Sequence, residues 1–162
     1  LQELIRFAEE NDAITGRLHA VTVALLAAAT LPELLAALNL GLREGMNVPH
    51  VALRIWGGRA YAGDGAERDE FQAVPDELKE QASSLAHPYC GTTLEPRIVA
   101  WFGPAGEHVK SVAHLPVRDA TGACIGLLAF GSEDVMRFFP DMGLVYLERL
   151  AELTGAALRR FV

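Results

Sequence analysis

Thiols, aromatic rings and basic charge are all scarce in this chain of 162 residues. Two cysteines, Cys90 and Cys124, cannot build a disulfide framework and suit a reducing compartment. Aromatic residues make up 7%, too few for a base-stacking surface. Lys and Arg number 14 against 21 Asp and Glu, a net charge of −7, so nothing draws the chain to nucleic acid or anionic lipid. A long uninterrupted apolar run is also missing. The most apolar stretch, Ala20 to Leu42, is broken by Pro32-Glu33, which argues against a membrane span. A cytoplasmic protein with no nucleic-acid or membrane partner is expected.

What remains is the composition of one ordinary globular domain, 51% hydrophobic and 22% charged. Helical spacing dominates the first part. Leu4, Phe7, Asn11, Ile14, Leu18, Val21, Leu25 and Ala28 fall at alternating threes and fours, a heptad seam interrupted only by Asn11. A helix over about Leu1 to Ala29 follows. A lone Asn in such a seam fixes register between paired helices, and a narrow stripe wants a partner. Residues 1–30 therefore read as a dimerisation helix, with Leu4, Phe7, Asn11, Ile14 and Leu18 at the contact of a homodimer, and 31–162 as the domain proper. The bland alternative is a seam that packs on its own domain. Thr30-x-x-Glu33 is a capping box that opens a second helix, from about Leu31 to Glu44 and closed by Gly45.

The period then changes to two. Val51, Leu53 and Ile55 alternate with Ala52, Arg54 and Trp56, which is a strand; Gly57-Gly58 is a turn, and Arg59 to Ala62 pairs back. Asp64 to Glu80 carries seven acids against Arg68 and Lys79 and reads as a loop with a short helix from about Pro75. Strands are expected over Ile98–Phe102, Val109–Arg118 and Cys124–Gly131, the last two joined at Asp119–Gly122. A final helix is expected from Pro140 to Arg160. The result is an α+β fold: a mainly antiparallel five-stranded sheet, the first, second and last helices on one face, and the acidic segment over the other.

Several strings carry a resemblance: Glu9-Glu-Asn-Asp12, Arg17-Leu-His19, Val48-Pro-His-Val-Ala-Leu-Arg-Ile-Trp56, Pro88-Tyr-Cys-Gly91, Trp101-Phe-Gly103, Ser111-Val-Ala-His-Leu-Pro116, Gly126-Leu-Leu-Ala-Phe-Gly-Ser132 and Asp141-Met-Gly143. In this order they resemble the bacterial GAF-like family catalogued as domain of unknown function 484. The resemblance implies a GAF-like domain and self-association. It brings no catalytic residues and no cofactor.

Candidate chemistry is sparse. His87-x-x-Cys90 has the spacing of a metal pair, with His108 and His114 as further donors, but no second tight pair exists, so no metal is expected. Cys90 beside His87 could be a nucleophile or redox sensor, and a small-molecule enzyme using Cys90 is one alternative function. Cys124 opens an apolar strand and is expected to be buried, with Cys90 the more exposed thiol. Tyr89, Cys90, Trp101 and His114 are the candidate ligand-binding residues, in a pocket between the sheet and residues 63–96. Strand alternation puts Ser111 and His114 on opposite faces, with His114 toward the pocket, and separates Trp101 from Phe102. Ser132-x-Asp134 with Arg137 reads as a structural turn rather than an anion site. The expected function is a non-enzymatic sensory or scaffold domain that binds a small molecule. A second alternative is a pure interaction module whose pocket is filled by its own side chains.

Overall fold

A computed structural model describes residues 1–57 and 67–162. They form two compact units, Leu1–Asn47 and Val48–Val162.

The first unit is helical. Helix α1 (Gln2–Ala27) turns sharply into α2 (Leu31–Leu40). The corner is the expected capping box. The Glu33 N–H donates to Thr30 Oγ1 at 3.3 Å, and the Ala29 N–H donates to the Glu33 carboxylate at 2.8 Å. Both amides would otherwise be unpaired at a helix start. The second helix runs on through a widened, π-helical turn, Gly41–Gly45. Gly41 permits close approach to α1, because a Cβ there would stand 2.9 Å from a γ carbon of Val21. The heptad seam changes character along α1. Val21, Leu25 and Ala28 are buried, Ile14 and Leu18 are half-buried, and Leu4, Phe7 and Asn11 are exposed.

The second unit is α+β around an antiparallel sheet. Its described strands are β1 (His50–Ile55), β2 (Tyr89–Gly91), β3 (Ser111–Arg118) and β4 (Cys124–Ser132), in the order β1-β4-β3-β2. The sheet therefore has four strands among the described residues, not the expected five. Ile98–Phe102 is not a strand: it forms α4 (Pro96–Val99) and a 3₁₀ turn, Ala100–Phe102. The cause is local. Pro96 sits where a first helical turn needs no amide hydrogen, and Glu95 caps it by accepting from the Arg97 N–H at 3.2 Å. Gly103, at φ +77°, ends the turn. The strand expected at Arg59–Ala62 lies outside the described residues, as does Gly58 of the turn before it. β2 was not anticipated, since three residues are too few to show a period of two.

The β3–β4 hairpin turns where expected. Asp119 Oδ1 accepts from the N–H groups of Thr121 and Ala123 and from the Thr121 hydroxyl, and Gly122 takes φ +87°. These bonds hold the Asp119 carboxyl below its usual range, the Thr121 hydroxyl first among them. The last helix, α5 (Val145–Leu158), begins at Val145 rather than Pro140 and lies along β3. There a Cβ on Gly155 would come within 2.5 Å of the Arg118 carbonyl oxygen.

Strand register defines two faces. Ala113, Leu115, Val117, Leu128 and Phe130 share one of them and are at most 1% exposed. The other carries Ala52, Arg54, Tyr89, His114, Leu127 and Ala129. Helix α3 (Asp76–Ser84) covers this second face, where Leu78, Ala82 and Ile98 cluster with Leu127 and Ala129. No helix among the described residues is long and apolar enough to cross a membrane.

Candidate functional site

A cleft of about 390 Å³ lies between this second face and the segment from α3 to α4. Tyr89, His114 and Leu127 form its floor, one from each of three neighbouring strands. Leu78 and Ala82, one helical turn apart on α3, and Ile98 of α4 form its walls. Gln81, Ser84, Thr93 and Glu95 supply polar atoms at the rim. A mostly apolar hollow of a few hundred Å³ with a few polar groups is the ordinary composition of a small-molecule site.

His114 is the central polar group. Its Nε2 is buried and has no hydrogen-bond partner. A buried polar atom left unpaired is costly, so each one asks for an explanation. Loss of water pushes the imidazole down to about 4, although the Glu95 charge works the other way, so the ring is neutral near neutral pH. The Tyr89 ring sits beside it, centroids 5.5 Å apart and planes tilted by 43°. Tyr89 is fixed at its far end, where its oxygen accepts from the Thr93 N–H at 3.1 Å. Its side chain crosses Gly91, where a Cβ would stand 2.5 Å from the tyrosine oxygen.

The rim holds one guanidinium between two carboxylates. Arg97 donates to Glu95 at 2.8 and 3.3 Å and to Glu77 at 3.0 Å. These bonds raise the guanidinium pKa and, through the Arg97 hydrogen bond, lower that of the Glu95 carboxyl.

The four candidate ligand residues do not all converge. Tyr89 and His114 meet in the cleft. Cys90 alternates to the opposite face and is buried, 5% exposed, with its thiol pushed up to about 11 by loss of water. Trp101 does not line the cleft. It packs on the same apolar cluster as Phe102, and the Arg54 guanidinium lies 4.9 Å from its ring centre. The expected separation of Trp101 from Phe102 fails because the segment is helical. The two thiols also reverse the expected order of exposure: Cys90 is buried and Cys124 half-buried. Cys124 bonds within its own strand, donating to the Gly126 carbonyl at 3.3 Å.

Other candidates are structural. Ser111 lies on the face opposite His114, as alternation requires. Its hydroxyl donates to the Asp134 carbonyl at 2.7 Å and accepts from the Phe138 N–H at 3.3 Å. The Ser132–Asp134 segment is a turn, with Ser132 Oγ accepting from the Asp134 N–H and Asp134 Oδ1 from the Met136 N–H. His87 bonds Glu148 at 2.8 Å on the surface. No three His, Cys, Asp or Glu side chains among the described residues converge as metal donors. Leu78, Ala82, Ile98, Glu95 and Leu127 were missed as site residues. The pair Glu95-Pro96, a cap followed by a first-turn proline, was the available signal for the wall at Ile98.

An antiparallel sheet bearing a helix-covered cleft on one face is the architecture of GAF domains, and solved structures agree. The chain is similar to the GAF domain of a protein described as a sensor histidine kinase from Pseudomonas syringae pv. tomato: TM-score 0.62, 18% identity, 97% of this chain and 92% of that one. It is also similar to the A. Aeolicus nlh2 GAF domain in an inactive state: TM-score 0.59, 11% identity, 93% and 98% covered. A domain of a protein described as a two-component sensor histidine kinase from Sinorhizobium meliloti 1021 matches at TM-score 0.52 and 13% identity, with 83% and 94% covered. A comparison with curated protein sequences finds no match. Across residues 1–162 the chain matches one family, and it belongs to it: "Protein of unknown function, DUF484".

Proposed function

We propose that this chain is a non-enzymatic sensory domain of the cytoplasm that takes a small molecule into the cleft beneath α3. The observation that carries the reading is the apolar hollow itself, with the rings of Tyr89 and His114 side by side on its floor. The solved GAF domains of sensor proteins supply the class. The absence of chemistry is supported by Cys90, a buried thiol with a raised pKa on the other side of the sheet. The chain pairs with a second copy through Leu4, Phe7, Asn11, Ile14 and Leu18 of α1. The exposure of Leu4 (70%) and Phe7 (53%) supports that contact.

Hydrogen exchange tests the reading. The purified chain is compared with the same chain denatured, dialysed and refolded. Stripping a ligand should speed exchange in α3, Asp76–Ser84, and in the segment leading into α4, and leave α5 unchanged. Identical exchange before and after stripping overturns it.

A further inference from the structure

Residues 1–13 are all exposed, Leu4, Ile5 and Phe7 among them. A helical segment of about three turns, exposed on every side, is marginal in water and calls for a partner. We propose that the partner is the same segment of a second copy, running parallel and in register, with each Asn11 hydrogen-bonded to the partner's Asn11; this rests on the reading of α1 as the contact between two copies.

Direction and register follow from the seam. Its one polar member, Asn11, stands between Phe7 and Ile14. A side-chain amide both donates and accepts, so two of them face to face satisfy each other. Only a parallel, in-register pair puts like seam positions opposite one another. An antiparallel pair sets each Asn11 against an apolar seam residue and leaves two amides unpaired on hydrocarbon. The charges beside the seam do not reverse this choice. Glu3, Glu10 and Arg17 stand on one flank, and Ala8, Thr15 and Thr22 on the other. In a parallel pair each flank meets the opposite one, so no like charges face each other. One antiparallel register would bring Glu10 to the partner's Arg17, but it sets Asn11 against the partner's Ile14. Exposed ion pairs contribute little, and Glu10 already has Arg6 at 3.8 Å, one turn away in its own helix. The unpaired amides cost more.

The test is disulfide formation in the full chain at two seam sites, Leu4→Cys and Ile14→Cys, made separately. The helix holds these sites about 15 Å apart. A parallel, in-register pair brings each introduced thiol beside its own copy, within the span that a disulfide bridges. Any one antiparallel register does so for one site at most. Under mild oxidation both variants should form covalent dimers several-fold above the unaltered chain, whose Cys90 and Cys124 set the background. A mixture of the two variants should form no bond between the different sites. Peptide mass spectrometry identifies each bond. Asn11→Leu should tighten the dimer roughly tenfold and let bonds between the different sites appear, because the orienting amide is gone. Dimers by light scattering that bond at one site or at neither overturn the parallel arrangement and leave the dimer standing. An Asn11→Leu variant with an unchanged bonding pattern overturns the role given to Asn11. If the unaltered chain is monomeric even at millimolar concentration, the contact between copies falls as well.

Discussion

Tyr89 and His114 face each other across two neighbouring strands, their ring centres 5.5 Å apart, as directly paired residues of β2 and β3. The pairing places an aromatic wall beside the one buried, unpartnered imidazole nitrogen among the described residues. It depends on Gly91, since a side chain there would strike the tyrosine oxygen. The cleft is thus a product of register: a shift of β2 by one residue would bring Cys90 to this face and take Tyr89 away.

His114 makes stability depend on pH. Its folded pKa, about 4, lies below the ordinary 6.5 because burial penalises the charged ring. Between those values the unfolded chain binds more protons than the folded one. Stability is therefore complete above about 6.5 and falls as pH drops toward 4, by at most about 3 kcal/mol from this group. Glu95, Asp119 and Glu133, all held below their usual range, add losses at lower pH that a His114 variant shares. Urea midpoints across this window should fall for the unaltered chain and less for His114→Leu. At neutral pH the variant should be more stable by about 1 kcal/mol, since it removes an unpaired buried atom. Parallel pH profiles would contradict this.

Arg118 ties the hairpin to α3. Its guanidinium donates to the carbonyls of Gly122, Ser83 and Leu85 at 3.0, 2.9 and 2.8 Å. Arg118→Ala should cost about 1–3 kcal/mol in chemical denaturation, because three carbonyls lose a charged donor. Arg118→Lys, with a point charge in place of a planar fork, should recover only part of it. A loss within error for the alanine variant would show that the fork is surface decoration.

Helix α1 predicts an oligomer. Ile14→Lys with Leu18→Lys places two charges on the seam and should give monomers by light scattering, with helix content retained by circular dichroism. A folded double variant that remains dimeric moves the interface off this seam.

Thiol chemistry has a definite order. Cys124 is half-buried and Cys90 buried, with a thiol near 11. An alkylating reagent should label Cys124 first in the native chain, and Cys90 only on unfolding. Mass spectrometry of the peptides reads the order, and prompt native labelling of Cys90 would reverse it.

Much of this fold was legible in strict periodicities. The heptad of α1, the Thr30–Glu33 corner, the alternation of β1 and β3 and the turn at Asp119 each follow from residues close in sequence. His114 was legible too, because alternation within one strand divides it from Ser111 without knowledge of the rest. The errors arose where short-range rules compete. Val99 to Phe102 is apolar enough for a strand, yet the cap and proline just before it start a helix, and that error misplaced Trp101. Cys90 was misplaced because β2 is only three residues long. The walls at Leu78, Ala82 and Leu127 are ordinary core residues by type, and only tertiary packing turns them into the lining of a cleft.

Native mass spectrometry of the purified chain tests the central claim most directly. The account predicts a complex of twice the 17.5 kDa chain mass, carrying a retained small molecule that gentle activation releases and that His114→Leu holds less well. Bare chains under the gentlest conditions, identical in the unaltered protein and in the His114 variant, would contradict it.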